Sequence, residues 1–414
     1  METVFKIINT SANKESPFDR QERISWWDQK KLRDAKVIVV GAGAIGNETL
    51  KNLALLGIGN VMVCDMDVIS TSNLSRTVLF KKDDVGKKKA IVAAERFKEM
   101  NLEENAMVDC FIGDIVWDLG TGVYRYFDVV LGCLDNVETR FKVNRMCWMA
   151  SRPFIDAGIN ELAGSVSVFN APKTACYECN ASESQYKAAR VRYSCDDFKK
   201  RSISEGRAPT TQVASALVSA MQVQEAVKII CNKQAAYGKK IYYQGTNNAF
   251  DLIDLKKNEN CLAHVSYDKV IETGMTNQTT AGEFLDFVSR AENSGANSVI
   301  DLRGDRSFLQ TAKCRFCGKA IDVYKPSFRI FFDELICDSC KSKDITKDEH
   351  EERNYISDIT LSSDSKLLNM SLDEIGFPKL HIIAVRNAEG SYKYYELSGD
   401  LHNVMPNIHK GLQC

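Results

Sequence analysis

Proline is scarce, with seven in 414 residues, so no proline-rich linker is present. No run of about 18 apolar residues offers a membrane-spanning helix. The opening METVFKIINTSANKESPFDRQ also lacks the apolar core of a signal peptide, so a cytoplasmic protein that engages no membrane is expected. Excess charge of one sign is missing too. Lys plus Arg number 54 against 55 Asp plus Glu, a net of −1, which argues against a non-specific nucleic-acid binder or a polybasic surface protein. No repeat recurs at a fixed period. The 44% hydrophobic and 26% charged composition is that of an ordinary soluble globule. At about 150 residues per domain, two or three domains are expected. Cysteine, by contrast, is plentiful at 14. In a reducing compartment these do not form a disulfide framework, so their spacing reads as metal binding or catalysis.

Strand-like and helix-like segments alternate through the first two thirds. KVIVVG at 36–41 is a β-branched run ending in glycine, Asn47–Leu56 is helical in pattern, and VMVCD at 61–65 is a second strand. Lys87–Met100 predicts a helix, AMVDCF and VVLGCLD predict strands ending near 111 and 135, and PFIDAGI predicts another after a helix. A long helix is predicted from Gln212 to about Ile230. This order predicts an α/β fold: a doubly wound, Rossmann-like, mostly parallel sheet over residues 1–270. Beyond 270 the composition changes, and a smaller α+β domain over 271–414 is expected.

GAGAIG places Gly41, Gly43 and Gly46 between the first strand and a helix. Glycines there permit a tight turn and close backbone approach, and the helix N-terminus presents free amides to a nucleotide phosphate. Asp65, at the tip of the second strand, stands where an acid would hold a ribose. The fingerprint alone does not separate NAD from ATP. The next segment does: Asp67, Asn73, Arg76 and Lys89 follow, and Asp135 ends a later strand as a hard oxygen ligand suited to Mg²⁺. A dehydrogenase has no use for an Asn, an Arg and a Lys beside the loop. An enzyme promoting attack on the α-phosphate of ATP does, because charge builds on the oxygens in flight. The bland alternative is solvated loop charge.

These blocks resemble the ubiquitin-activating superfamily, which includes ThiF, MoeB and the catalytic subunits of eukaryotic activating enzymes. The family's GxGxxG, DxD, SNLxR, GxxK and DN blocks are met in order by Gly41–Gly46, Asp65–Asp67, Ser72–Arg76, Gly86–Lys89 and Asp135–Asn136. The resemblance, over roughly residues 15–265, implies that Asp65 holds the ribose of ATP. It further implies that Asn73, Arg76 and Lys89 hold the triphosphate and that Asp135 binds the metal. DRQER at 19–23 is similar to the family's RQ motif, whose arginine reaches into the opposite subunit's site. The resemblance makes Arg20 a candidate in-trans arginine finger and implies a homodimer, while the sequence leaves action in cis or in trans open. Thr77 departs from the Gln that many members carry.

Cys176 and Cys179 form CYEC, and Cys261 and His264 form CLAH, a set able to close a tetrahedral Zn²⁺ site. The family has CxxC twice, so His264 stands where it has a cysteine. A second set, Cys314, Cys317, Cys337 and Cys340, has zinc-ribbon spacing, with the ribbon at about 310–342. Two structural zinc ions are therefore expected. Of the remaining cysteines, Cys64, Cys110, Cys133, Cys147 and Cys231 fall in predicted strands and helices, where a free cysteine is a small apolar filler. Cys414 is terminal. Cys195 lies in a polar, basic crossover loop at about 180–211, ahead of Pro209-Thr210-Thr211. The family's thioester-forming members carry their nucleophile in this region, so the resemblance makes Cys195 the nucleophile, although the family's PxCT pattern is absent. The intervals on either side of it are too short for a large catalytic-cysteine domain.

KLLNMSLDEIGFPKLHIIAVRN and SYKYYELSGD resemble the end of a β-grasp domain, the ubiquitin-like fold with which family members recruit a conjugating enzyme. SVIDLRGDRSF alternatively points to a rhodanese, but the downstream cysteines come as metal-type pairs. The expected function is activation of a ubiquitin-like protein: adenylation with MgATP, a thioester on Cys195, then transfer to a conjugating enzyme. The rival readings are a MoeB- or ThiF-type sulfur-carrier adenylyltransferase and an inactive scaffold subunit.

Overall fold

The computed structural model describes residues 16–191, 210–292, 298–301, 306–314, 316–330, 335–340, 353–356, 358–386 and 390–410. Cys195, Pro209 and Cys414 lie outside them. Two short helices, α1 (Asp19–Glu22) and α2 (Gln29–Asp34), precede β1 (Lys36–Val40). There follow α3 (Ala44–Leu55), β2 (Asn60–Cys64), α4 (Lys89–Met100), β3 (Met107–Phe111), β4 (Val129–Gly132) and α5 (Val137–Met149). β5 (Pro153–Asn160), β6 (Ala163–Asn170), α6 (Glu183–Val191), α7 (Gln212–Ile230), β7 (Lys239–Gln244) and β8 (Ala249–Asp254) complete this part.

The strands form one eight-stranded sheet in the order β3-β2-β1-β4-β5-β6-β7-β8. The five strands from β3 to β5 run parallel, and β6, β7 and β8 extend the sheet antiparallel. The β-branched run of β1 explains why the sheet is wound on both faces. Alternate side chains of a strand point to opposite faces, and here neither face meets water. Val37 and Val39 join a core with residues of α3, α4 and α7. Ile38 and Val40 join another with Val143 and Met146 of α5. The expected α/β fold is therefore present, and β6–β8 are strands that the periodicity did not reveal.

Two expectations need correction. Cys110, expected in the core, is exposed. Its strand β3 is the sheet's edge, and an edge position is set by topology rather than by local composition. The interval expected as a loop from about 180 begins instead with α6. Helix α7 has the predicted bounds. It is the one helix among the described residues long and apolar enough to cross a membrane, and half of it is buried in the protein. It packs along α3, where the Ser219 hydroxyl donates to the Ile45 carbonyl at 2.9 Å.

The rest of the chain builds a second sheet. Its elements are β9 (Val270–Glu272), α8 (Ala281–Glu292), β10 (Ser298–Asp301), β11 (Phe308–Lys313), β12 (Ala320–Pro326), β13 (Arg353–Ile356), β14 (Asp358–Leu361), α9 (Leu372–Ile375), β15 (Ile382–Arg386) and β16 (Tyr392–Glu396). Five strands are ordered β14-β10-β15-β16-β9, with β9 parallel to β16 and the other pairs antiparallel. Phe284, Leu285 and Val288 of α8 share a core with Ile300 and Tyr395, as an α+β unit requires. The second cysteine set adjoins a small inserted sheet, β12-β11-β13.

The chain's last helices, α10 (Leu401–Val404) and α11 (Pro406–Lys410), return to the first sheet. Val404, Met405 and Ile408 complete the core on the α5 face. Asp109 of β3 is the anchor: its buried carboxylate accepts from the backbone N–H groups of Asn407 (3.1 Å) and Ile408 (2.9 Å) and from Asn407 Nδ2 (2.8 Å). Asp109→Ala leaves those donors unpaired and should lower folding stability by about 1–3 kcal/mol, read as a shift in the denaturant midpoint. An unchanged midpoint would mean that this carboxylate does not hold α11.

Candidate functional site

The turn after β1 is built around absent side chains. Gly41 has φ +98°, and a Cβ there would lie 2.4 Å from the Cys133 carbonyl oxygen at the end of β4. A Cβ on Gly46 would lie 2.0 Å from the Gly41 carbonyl oxygen. Both glycines are thus dictated by internal packing. Gly43, which caps α3, differs: a Cβ there meets nothing within 4 Å. Gly43 therefore borders open space at the N-terminus of a twelve-residue helix, where unpaired amides and the helix dipole favour an anion.

Asp65 closes the turn from the β2 side. Its carboxylate accepts from the N–H groups of Ala42 (2.7 Å) and Asp67 (2.8 Å). Burial raises its pKa against the opposing pull of Lys89 and these N–H donors. Asp67 is exposed and pairs with Lys89, whose Nζ lies 2.8 Å from Asp67 Oδ2 at the start of α4. Asn73 caps its own turn by accepting from Ser70 N–H at 2.9 Å, and the Arg76 guanidinium donates to the Ser72 carbonyl. Thr77, the departure noted above, is buried and donates to the Asn73 carbonyl at 2.9 Å, so it shapes this turn. Asp135 is exposed in the β4–α5 connection, two residues beyond the carbonyl that Gly41 packs against. Arg20 is not beside this loop. Its helix α1 docks at the opposite end of α3, where Gln21 Nε2 donates to the Leu56 carbonyl at 3.3 Å and Phe18 meets Gly57.

Several supporting residues escaped the motif search. Asn47 donates to the Ala42 (2.8 Å) and Gly43 (3.0 Å) carbonyls and accepts from Leu79 N–H (3.0 Å), tying the loop to the segment that carries Arg76. Its place directly after Gly46 was the available signal. Gln222 of α7 is fully buried and donates to the carbonyls of Gly132 (3.0 Å) and Ile155 (2.9 Å), stitching the end of β4 to β5. Arg140 of α5 forms a buried ion pair with Asp156 of β5. Burial raises the Asp156 pKa to about 6, against the opposing effect of Arg140.

The expected metal sets converge. In each, one donor atom per residue lies within 4.8 Å of the others. Around a tetrahedral zinc with Zn–S near 2.3 Å, sulfurs stand about 3.8 Å apart. Here Cys176 Sγ is 3.7 Å from both Cys261 Sγ and Cys179 Sγ, Cys179 Sγ is 3.3 Å from His264 Nε2, and Cys317 Sγ is 3.5 Å from Cys337 Sγ. Backbone N–H groups also point at sulfur, from Cys176 to Cys179 (3.3 Å) and from Cys337 to Cys314 (3.4 Å). Burial and Lys257 lower the His264 pKa, which favours the neutral imidazole a metal needs. Trp148 stacks on that ring at 3.7 Å and so orients it. Both donor sets fit zinc. The first is held to α5, because Arg145 donates to both oxygens of Glu178 at 2.9 and 2.8 Å from within the CYEC turn.

A family model described as ThiF family matches residues 18–263. SUMO-activating enzyme subunit 2 of Dictyostelium discoideum is 40% identical over 150 residues, 36% of this chain and 22% of that protein. SUMO-activating enzyme subunit uba-2 of Caenorhabditis elegans is 40% identical over 158 residues, 37% of this chain and 27% of that protein. The chain thus spans under a third of these relatives. The sulfur carrier protein adenylyltransferase of Thermus thermophilus is 28% identical over 239 residues, 56% of this chain and 83% of that protein. Among solved structures, E. coli MccB with ATP is similar at 25% identity and a TM-score of 0.50, covering 60% of this chain and 74% of that one.

Two predictions follow from this geometry. Gly43→Ala should fold as the wild type but bind ATP at least ~10-fold more weakly by titration calorimetry, since a methyl group would occupy the anion's approach. Gly41→Ala should instead lose about 1–3 kcal/mol of stability, from its left-handed backbone. Undiminished ATP affinity in Gly43→Ala would place the phosphates elsewhere. Elemental analysis of protein purified without chelator should find zinc at both sets, and Cys317→Ser should lose the ribbon's ion alone. Zinc at one set in the wild type would remove the other assignment.

Proposed function

The chain belongs to the ThiF family, and from that premise we propose that it is an activating enzyme for a ubiquitin-like protein. Two relatives that the chain resembles are named as adenylyltransferases of sulfur carrier proteins, which supports an adenylation step. In the proposed first step a carboxylate oxygen at the modifier's C-terminus attacks the α-phosphorus of ATP, and pyrophosphate leaves. The Cys195 thiolate then attacks the acyl carbon of the mixed anhydride and AMP departs. A thiol of a conjugating enzyme finally attacks the thioester, returning Cys195 as a thiol. Both acyl transfers, from the mixed anhydride and then from the thioester, start from a reactive acyl group, which is the benefit of dividing the transfer.

The observation that carries the reading is the open anion cradle at Gly43, with Asp65 and Lys89 on the adjoining β2 and α4 segments. Arg76 and Lys89 would hold the phosphates, and Asp65 the ribose. Mg²⁺ at Asp135 would neutralise charge on the phosphate oxygens. Arg20 would serve the site of a second copy, because α1 sits at the far end of α3 from its own loop. That supports a homodimer. The second sheet would receive the conjugating enzyme, with residues 1–270 as the adenylating domain and 271–414 as the docking domain. Zinc at the two sets would be structural, since every donor is already committed.

The likeness to the Thermus adenylyltransferase, which the chain matches over 83% of that protein, favours a second reading in which the partner is a sulfur carrier and no thioester to a conjugating enzyme forms. One experiment separates the two. With ATP and a panel of ubiquitin-like proteins, Asp135→Ala should lose ATP–pyrophosphate exchange by ~100-fold or more. Cys195→Ala should keep that exchange but lose any thiol-sensitive adduct. A wild type that exchanges pyrophosphate yet forms no adduct would turn the assignment to the sulfur-carrier reading.

A further inference from the structure

The β4–α5 turn that carries Asp135 is gripped from beneath by one guanidinium. Arg140 Nη1 pairs with Asp156 Oδ2, while Nη2 donates to the Leu134 carbonyl and, at 3.0 Å, to the Ala157 carbonyl. Leu134 directly precedes Asp135, and Asp156 and Ala157 belong to β5. The group is thus a three-way tie between the strand end, the neighbouring strand and the helix. Its surroundings are nearly dry, with side-chain exposures of 13% for Arg140 and 5% for Asp156.

Stability alone is a poor reason for such a pair. Removing two charges from water costs about as much as their attraction returns, and apolar residues of similar volume do as well or better. Nor is the pair fully satisfied, because Asp156 Oδ1 is buried with no hydrogen-bond partner among the described residues. What it supplies is direction. A planar fork spanning two carbonyls and a carboxylate fixes the path of the turn in a way that no lysine or apolar side chain reproduces. The far side of the turn is fixed as well: Asn136 caps α5 by accepting from Thr139 N–H at 2.8 Å, and its Nδ2 donates to Asp135 Oδ1 at 3.3 Å. Asp135 is thereby held on both flanks while its carboxylate stays exposed.

We propose that Arg140, locked by Asp156, is the positioning residue that presents Asp135 to the metal of the nucleotide complex. This rests on the reading of Asp135 as the metal ligand. Residues that orient a metal ligand from behind typically change metal affinity by about 10- to 100-fold. Arg140→Lys keeps the charge but loses the fork, and Asp156→Asn keeps the shape but unlocks it.

The test measures binding of the non-hydrolysable analogue AMPCPP to the full chain by calorimetry, once with Mn²⁺ and once with EDTA. The wild type should bind more tightly with the metal. In Arg140→Lys and in Asp156→Asn that advantage should shrink about 10-fold or more, while the affinity in EDTA stays within twofold. A general loss of structure would instead weaken both. Asp135→Asn, run in parallel, should also lose the metal-dependent advantage. If it keeps that advantage, the metal assignment falls and this inference with it. If Asp135→Asn loses it but both Arg140→Lys and Asp156→Asn retain it, Asp135 is the ligand and the positioning role is overturned. Should Arg140→Lys fail to fold, Asp156→Asn alone decides.

Discussion

The space between the turn after β1 and the end of β4 is too small for a side chain. That single steric constraint organises the site. With Gly41 against the Cys133 carbonyl and Gly46 against the Gly41 carbonyl, α3 can start immediately after the strand and aim its free amides over the sheet's carboxyl edge. The acid at the end of β2 then reaches Ala42 N–H, and the next connection brings Lys89 alongside Asp67. Loosening the turn by one methyl group would displace the helix N-terminus, and with it the polar groups arranged around that end.

A parallel sheet has two apolar faces, and both must be covered. Residues of α3, α4 and α7 cover one face. On the other, α5 and the 121–126 turn are joined by Val404, Met405 and Ile408 from the far end of the chain. In chain order the second sheet is therefore bracketed: its strands come between those of the eight-stranded sheet and the helices that return to it. Further ties cross the same boundary. Glu396 is fully buried and ion-paired to Arg125 at 2.6 Å, and the Arg306 guanidinium donates to the Val116 and Trp117 carbonyls from the second unit. Directional groups of this kind fix how the two units meet, because a guanidinium pairs with carbonyls and a carboxylate only in a narrow set of orientations.

Local features were legible in the sequence and long-range ones were not. GAGAIG and the bounds of α7 could be read directly, because turn sterics and apolar periodicity act over a few residues. The start of α3 was missed by three residues, since the capping role of Gly43 leaves no side-chain signature. Strand β8 was missed because it is exposed along most of its length, so it carries no buried apolar run. Cys110 looked like core because the sequence does not say which strand becomes the edge. The metal sets were legible because each joins two pairs of donors at zinc-ligand spacing, whereas a redox motif needs one pair alone. Arg140 and Asp156 were invisible as a pair, because neither belongs to a known block and only the crossing of α5 over β5 brings them together.

The length of α3 bears on how a complete site could be assembled. Twelve residues at about 1.5 Å each separate the loop from the helix's far end by roughly 18 Å. Phe18 and Gln21 bind α1 to that far end through Gly57 and the Leu56 carbonyl. Gln29 reinforces the attachment, accepting from Gln21 and donating to the same carbonyl. An arginine side chain spans a fraction of this distance, so Arg20 cannot reach its own phosphate loop while α1 stays docked. The buried Phe18 ring makes undocking costly. A role for Arg20 in phosphate chemistry therefore demands a second copy of the chain. In the proposed homodimer, Arg20 of each copy would be offered to the site of the other, because its own loop lies at the opposite end of α3.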